Sequence, residues 1–558
     1  MSRLYIFYKL LLFTALLQLT VVCPSIHTAK AEARESKSLG SSDTWGCVLC
    51  TAVVATVSQL GQLHQIPAKD ALGLFCSFFR SAEAVLCKTA SLILLEGALQ
   101  LIDEGRTPDK VCQIMKYCDT EECILFPPDK NDTLPLHKLR SAYRLDGRKL
   151  VDACRTFPTL CRPLFEDSAH DKDGDRFSTY PAKRGTDWRG RDCDDDDARV
   201  YPGRNSTDSQ RDENCNGIYG VEESSKKTYE ELWCSNSSPM GVIAVGDSAT
   251  ADFGIPLGYV SILDLSSEAV ANIIPVLDNE IDWPMLSGLT GFANSTRYEP
   301  DVDGPMTSVY SKLVELNRCN HRDYQNLGHN GARSGSILSI LDSVARNRSE
   351  SVKPAYVFFS MVGNDVCPRP QDAPTPLDYY HSLSEAVKKA DSFLPPGSHV
   401  LIVSLVDARA AIGSIVNRIH PIGTLNSDVT YGNLYDYLNC LQVSPCWGWL
   451  NSNESVRNET WERASAMNAM ISRVVDESTN LENVKVHALG DVIGEVVSSF
   501  EGPLWKLVNP VDGFHPSQIA TALMGARVFA KMQDLGILPT ENPFNGDIQR
   551  RFGDQGGY

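Results

Sequence analysis

Four short blocks carry the residue types that acyl transfer by a serine requires. Gly241-Val-Ile-Ala-Val-Gly-Asp-Ser248 reads as a buried parallel strand, Val242 to Val245, that stops abruptly at a serine. Carboxyl ends of strands are where open α/β sheets hold ligands, so Ser248 is the candidate nucleophile. Asp512-Gly-Phe-His515-Pro516 precedes an amphipathic stretch that predicts a helix over 517–535, with Pro516 in its first turn. His515 is the candidate base and Asp512 the acid that orients it and stabilises the imidazolium. Asn326-Leu-Gly328-His-Asn-Gly331-Ala-Arg-Ser334 is a glycine-punctuated loop whose amides can approach a substrate, and Tyr356 to Val362 is a second buried strand ending in Gly363-Asn364-Asp365. A developing oxyanion would meet the Ser248 amide, the Gly331 amide and the Asn364 side chain. Each block alone has a plainer explanation, since many strands end in such turns and a histidine often starts a helix. Their order and their placement at strand ends join them. His329, inside the glycine loop, reads more simply as a solvated side chain, and His420, beside Pro421 with no visible partner, is assigned no role.

The elements that must position these residues alternate apolar runs with helical stretches from about 233 to 558, which predicts a parallel α/β sheet. The four blocks resemble the GDSL or SGNH hydrolase family, with Ser248, Gly331, Asn364 and His515 in the places of its four named residues. Ala249 stands where many members carry leucine, whereas Asp512-x-x-His515 follows the family's last block. The resemblance implies a flavodoxin-like α/β sheet and serine ester hydrolysis.

At 558 residues the chain is too long for one core, and its formal net charge of -18 leaves no basic stripe to displace counterions, so a nucleic-acid partner is excluded and cations are favoured. Arg3 and Lys9, an apolar run from Leu10 to Val22, and small residues including Ala29 and Ala31 predict a secretory leader within 1–31. A signal anchor is the rival, but the run is short for a span of ~20 residues, and no other stretch reads as a bilayer crossing. Of 17 cysteines only Cys23 lies in or beside the leader, and the rest form an even set, as an oxidising compartment favours. Sequons at Asn131, Asn205, Asn236, Asn294, Asn347, Asn453 and Asn458 agree with a secreted protein, or one held in lysosomal or granule vesicles.

From about 38 to 125 the chain is helical in period and punctuated by Cys47, Cys50, Cys76, Cys87, Cys112 and Cys118. Val48, Val53, Val54, Val57, Leu60 and Leu63 form the stripe of a helix with one buried face. A zinc site lacks a second pair at suitable spacing and a histidine partner. This pattern resembles the saposin B family of lipid-interacting all-α domains. The resemblance implies the pairs Cys47–Cys118, Cys50–Cys112 and Cys76–Cys87, where six cysteines alone allow fifteen pairings. Phe75, Phe78, Phe79, Leu92, Ile93, Leu94 and Leu95 look exposed and suited to lipid, although a stapled helical module without lipid would share the pattern. Cys123 stands outside the set and needs a distal partner. Residues 126–150, with Arg140, Arg144, Arg148 and Lys149, read as an exposed linker open to proteolysis.

The segment 151–232 is aspartate-rich. Asp171, Asp173, Asp175 and the Phe177 carbonyl occupy the first four alternating ligand positions of a calcium loop, as a hard cation seeking six to eight oxygens requires. Arg176 and Ala182 depart from an EF-hand, so the remaining ligands are expected from Asp192, Asp194 and Asp196. Asp212, Asn214 and Asn216 repeat the alternation, and a Cys193–Cys215 pair would close the loop. The expectation is structural Ca²⁺, more than one ion; a solvated acidic loop is the plain alternative.

Helical lipid domain, acidic segment and hydrolase on one chain resemble the secreted enzymes that deacylate bacterial lipopolysaccharide. That implies removal of secondary, acyloxyacyl-linked chains from lipid A, transient contact with a membrane or micelle surface, and a precursor cut into two disulfide-linked subunits through Cys123 and Cys446, with Cys440 the other choice. A secreted phospholipase or general lipid esterase would use the same triad, and a lipid carrier with an inactive hydrolase domain would share the layout.

Overall fold

The computed structural model describes residues 42–79, 87, 97–128, 171–179, 188–293 except 272, 274, 275, 277 and 278, and 304–558. The leader, Leu92 to Leu95, nearly all of the linker, the first part of the acidic segment and the sequons at Asn131 and Asn294 lie outside the described residues.

Five parallel strands, β1 (Gly241–Gly246), β2 (Tyr324–Gly328), β3 (Ala355–Ser360), β4 (Ser398–Ile402) and β5 (Val484–Ala488), form one sheet in the order β2-β1-β3-β4-β5. This is the flavodoxin-like order, and it places the topological switch at β1 and β3, where ligands bind beyond the strand ends. Side chains alternate between two apolar layers. Ile243, Val245, Val357, Phe359, Val400 and Ile402 pack with Leu383 and Val387 of the helix Pro376–Phe393 and with Met467 and Ile471 of the helix Glu454–Glu477. Val242, Ala244, Tyr356, Phe358 and Leu401 pack the other way, with Val309 and Leu313 of the helix Val309–Leu316 and with Val528 and Met532 of the helix Gln518–Asp534. Burial on both faces is why the strands read as unbroken apolar runs.

The smaller unit is helical: Ser42–His64, Ala68–Ser77 and Pro108–Ile114, joined by the disulfides Cys47–Cys118, Cys50–Cys112 and Cys76–Cys87. By length and composition the stretch Thr44–His64, well beyond the leader, is apolar enough to cross a membrane, contrary to the expectation from the sequence. Half of it is buried, and two of the disulfides cross-link it, so it serves as a core helix.

The helical unit packs on the sheet domain through two apolar clusters. Val54, Ala98, Val111 and Phe126 join Ile422, Val429, Tyr437 and Leu441, while Val57, Leu60, Leu72 and Phe79 join Phe253, Ile262, Trp283 and Leu286. Phe75, Phe78 and Phe79 are therefore not a free lipid-facing patch: Phe79 is buried and the other two pack against the same cluster. A bridge from Cys123 to Cys446 is also corrected. Cys446 is bonded to Cys367 inside the sheet core, and Cys123 reaches Cys440, at the end of the helix Tyr431–Cys440, across a Cα separation of 5.5 Å. Tyr437 and Leu441 lie in one cluster with Cys123 itself, so packing delivers Cys123 to that helix end.

Candidate active site

Strand β1 ends at Gly246, where a Cβ would stand 1.9 Å from Thr250 Oγ1, so only glycine allows the chain to turn so sharply. Asp247 caps the single helical turn Ser248–Ala251 by accepting from the Ala249 amide at 3.1 Å. Its other oxygen accepts from the Val362 and Gly363 amides at 2.9 and 3.3 Å, which ties the Ser248 turn to the loop after β3 that carries Asn364. Burial pushes the Asp247 carboxyl up to about 6.

Ser248 is 9% exposed, and its Oγ lies 2.8 Å from His515 Nε2. His515 Nδ1 lies 2.7 Å from Asp512 Oδ2. A carboxylate only accepts, so Nδ1 carries the proton and Nε2 is left to accept from the serine. Asp512 Oδ1 takes the amides of Phe514 and His515 at 2.8 and 3.0 Å, which fixes the candidate acid and base within one turn. That turn is closed at its base, where the Asn509 amide donates to the His515 carbonyl at 2.7 Å and Val508 bridges Pro516. The helix that follows is capped by Ser517, whose Oγ accepts from Ala520, so Pro516 sits ahead of the cap and not in the first turn as the sequence suggested.

Asn364 lines the same cleft as Ser248 and His515. Gly331 stands at φ +77° on the loop leaving β2, with open space where a Cβ would be. Two contacts hold that loop to the strand ends: the His329 amide donates to the Gly246 carbonyl at 3.0 Å, and Ser334 donates to the buried Asp365 through its amide at 2.9 Å and its hydroxyl at 2.6 Å. Beyond Ser248 and His515 the walls of the cleft are apolar: Ile412, Ile493, Val496, Leu507, Phe514 and Met524. Asp407, paired with Arg409, also lines the cleft.

Several residues that build this site left no clear signal in the sequence. Phe253 lies against His515 with ring centroids 4.6 Å apart and ring planes tilted by 47°. Asp252, in the left-handed region at φ 60° and buried, accepts from Thr521 at 3.0 Å, and burial pushes its carboxyl up to about 7. His420, read from the sequence as a loop histidine, is 2% exposed and bonded on both ring nitrogens.

In the acidic segment, Asp171, Asp173 and Asp175 bring carboxylate oxygens within 4.8 Å of one another. Asp173 Oδ2, Asp175 Oδ2 and Asp192 Oδ2 are buried without a hydrogen-bond partner. Burial first, then mutual repulsion, pushes Asp175 up to about 7 and Asp192 up to about 6. Orphaned, crowded carboxylate oxygens fit a hard divalent cation. Asp196 does not converge there: it is exposed and pairs with Lys172, while Asp194 faces Arg211 at 3.6 Å. Asp212, Asn214 and Asn216 form a second loop, closed by the Cys193–Cys215 disulfide, with both asparagine amides donating to Glu230. Asp208, absent from the expected ligand set, leaves both carboxylate oxygens buried and unpartnered nearby.

Residues 242–528 match the profile of the GDSL-like Lipase/Acylhydrolase family, and residues 46–161 match that of the saposin-like domain. The chain is also similar along its length to three curated proteins, each called acyloxyacyl hydrolase: one from Homo sapiens, 36% identical over 96% of this chain and 97% of that protein, one from Oryctolagus cuniculus, 35% identical over the same shares, and one from Mus musculus, 34% identical over 98% and 99%.

Proposed function

Because the chain belongs to the acyloxyacyl hydrolase family and is an ester hydrolase, we propose that it removes the secondary, acyloxyacyl-linked fatty chains of lipid A from bacterial lipopolysaccharide. The observation that carries this reading is the hydrogen-bonded line Ser248, His515, Asp512 at the mouth of an apolar cleft. In the proposed mechanism His515 Nε2 takes the Ser248 proton as Oγ attacks the ester carbonyl, and Asp512 stabilises the imidazolium. The oxyanion is held by the Ser248 and Gly331 amides and the Asn364 side chain, each such donor contributing about 3 kcal/mol of transition-state stabilisation. His515 then protonates the departing alkoxide, which is the hydroxyl oxygen of the remaining acyl chain. Water, deprotonated by His515, releases the fatty acid and restores Ser248. The apolar wall accommodates the leaving chain.

Ca²⁺ held by Asp171, Asp173, Asp175, Asp192 and the Phe177 carbonyl is proposed as structural, since these residues lie outside the cleft. Bound there, it supplies the positive charge that the crowded carboxylates lack. The protein is further proposed to be secreted or lysosomal, and to be cut in the linker into two subunits held by Cys123–Cys440.

A general lipid esterase or phospholipase remains a second reading, supported by the same apolar wall, which selects for an acyl chain and not for its acceptor. Fatty acids released from lipopolysaccharide and from phosphatidylcholine are to be compared for the full chain and for Ser248→Ala. Release of secondary acids from lipopolysaccharide, lost in Ser248→Ala, is the expected result. Phosphatidylcholine turnover without lipopolysaccharide turnover favours the second reading. Activity that survives Ser248→Ala overturns the nucleophile, and a wild-type protein that binds but never hydrolyses is a carrier.

A further inference from the structure

The turn that holds the acid and base of the triad is gripped from outside the triad by one buried histidine. The His420 ring reaches the Val511 carbonyl with Nε2 at 2.6 Å, one residue before Asp512. Because a carbonyl only accepts, Nε2 carries the proton, and Nδ1 is the acceptor for the Ile422 amide at 3.2 Å. Burial holds the ring neutral, pushing it down to about 4, so this donor is retained at neutral and mildly acidic pH. Two tyrosines hold the neighbouring carbonyls of the same turn, Tyr431 that of Pro510, and Tyr435 those of Asp512 and Gly513 at 3.3 Å each.

The loop and helix that supply these donors are also the seat of the helical unit. Gln59 Nε2, from the helix Ser42–His64, donates to the Ile422 carbonyl at 2.6 Å. Thr51 bonds Tyr437 at 3.0 Å, and Cys123 is joined to Cys440 in the same helix as Tyr431 and Tyr435. A hydrogen-bonded path therefore runs from Gln59 through residue 422 and His420 to residue 511, and so to Asp512, His515 and Ser248.

We propose that His420 is a positioning residue for the triad, transmitting the seating of the helical unit to the turn that carries Asp512 and His515. The inference rests on the triad reading above. It gives the helical unit a part in the chemical step, separate from any part in holding lipid.

The test uses the full chain and p-nitrophenyl butyrate, a soluble ester that needs no extraction from a membrane. His420→Leu is expected to lower kcat about 10- to 100-fold, the scale of a triad displaced by about an ångström, with KM nearly unchanged. His420→Gln keeps a donor near the Nε2 position and is expected to recover most of that loss. Gln59→Leu, at the far end of the path, is expected to lower kcat by a smaller factor at unchanged KM, and it supplies the reading if His420→Leu does not fold. Wild-type kcat in His420→Leu overturns the proposal, as does equal loss in the leucine and glutamine variants, or unchanged kcat in Gln59→Leu where the leucine variant does not fold. Ser248→Ala runs alongside: hydrolysis that survives there overturns the triad itself, whereas its loss beside an unaffected His420→Leu overturns only the positioning role.

Discussion

The ring of Phe253 lies 4.6 Å from that of His515 and belongs to the same buried cluster as Val57, Leu72 and Phe79 of the helical unit. One side chain thus braces the candidate base and closes the seam between the two units. Phe253→Ala removes both contacts. It is expected to cost about 3–5 kcal/mol of stability, as for other buried aromatics, and to lower kcat on a soluble ester. Chemical denaturation and steady-state kinetics on the same preparation measure the two effects. An unchanged kcat in a destabilised variant would assign Phe253 to packing alone.

Asp247 joins the Ser248 turn to the Asn364 loop through three amides, and all three bonds require acceptor oxygens. Asp247→Asn puts an amide NH₂ against either the Ala249 amide or those of Val362 and Gly363, so the tie between the Ser248 turn and the loop after β3 is broken at one end. Activity is expected to fall about 100-fold, comparable to the loss of an oxyanion donor, because Ser248 and the proposed donor Asn364 lose their common register. Asn364→Ala should give a loss of similar size, and the double variant should lose little more than either single one.

Buried carboxyls set a pH dependence of stability. Asp247 and Asp252 have folded-state values raised by burial to about 6 and about 7, from 3.8. Between 3.8 and those values the folded chain holds protons that the unfolded chain has released, so stability falls as pH rises through that window. Melting temperature is expected to be higher at pH 5 than at pH 7.5 on this account. Asp252→Asn should narrow the difference, and a difference unaltered by that change would remove Asp252 from the explanation.

Much of this site was legible because its chemistry is local in sequence. Ser248 ends an apolar strand, and Asp512 and His515 share one turn, so each announces itself within a few residues. The sheet was legible for the same reason, since burial of both strand faces leaves unbroken apolar runs at Val242 to Val245 and Tyr356 to Phe359. What stayed hidden depends on partners far along the chain. His420 acquires its role from Val511 and Gln59, Phe253 from His515 and Phe79, and Cys123 from a helix more than 300 residues on. Cys446 was the wrong choice because nothing in its neighbourhood reveals Cys367, which follows β3 and shares its core. Phe79 read as exposed because its cover comes from the other unit.

The carboxylates of the acidic loop predict a metal dependence with its own sign. Asp175 and Asp192 are raised to about 7 and about 6 without a cation, so Ca²⁺ must displace protons to bind near neutral pH. Calcium at about 100 times its Kd is expected to add about 2.7 kcal/mol of stability, and a chelator to remove it. The increment should shrink as pH falls through 7 towards 6, where the protons compete. Asp175→Asn should abolish it while leaving the chelator-treated protein no less stable. Melting curves with calcium and with chelator at pH 7.5 and pH 5.5 read both effects, and identical curves throughout would dismiss the site.

Cys123 and Cys440 stand on opposite sides of residues 126–150, where the proposed cut falls, and their bond crosses 317 positions of sequence. A cut anywhere between them leaves two pieces that remain covalently joined. Limited proteolysis is therefore expected to leave the apparent mass unchanged under non-reducing conditions and to give two fragments after reduction. In Cys440→Ser the covalent link is gone, but the clusters around Tyr437 and Phe253 and the Gln59 hydrogen bond remain. The nicked Cys440→Ser protein should then co-elute as one species in gel filtration and separate only in denaturant. It should also lose hydrolysis of a soluble ester in step with that separation. Fragments that part without denaturant would mean that the disulfide, and not the packed seam, holds the helical unit against the triad turn.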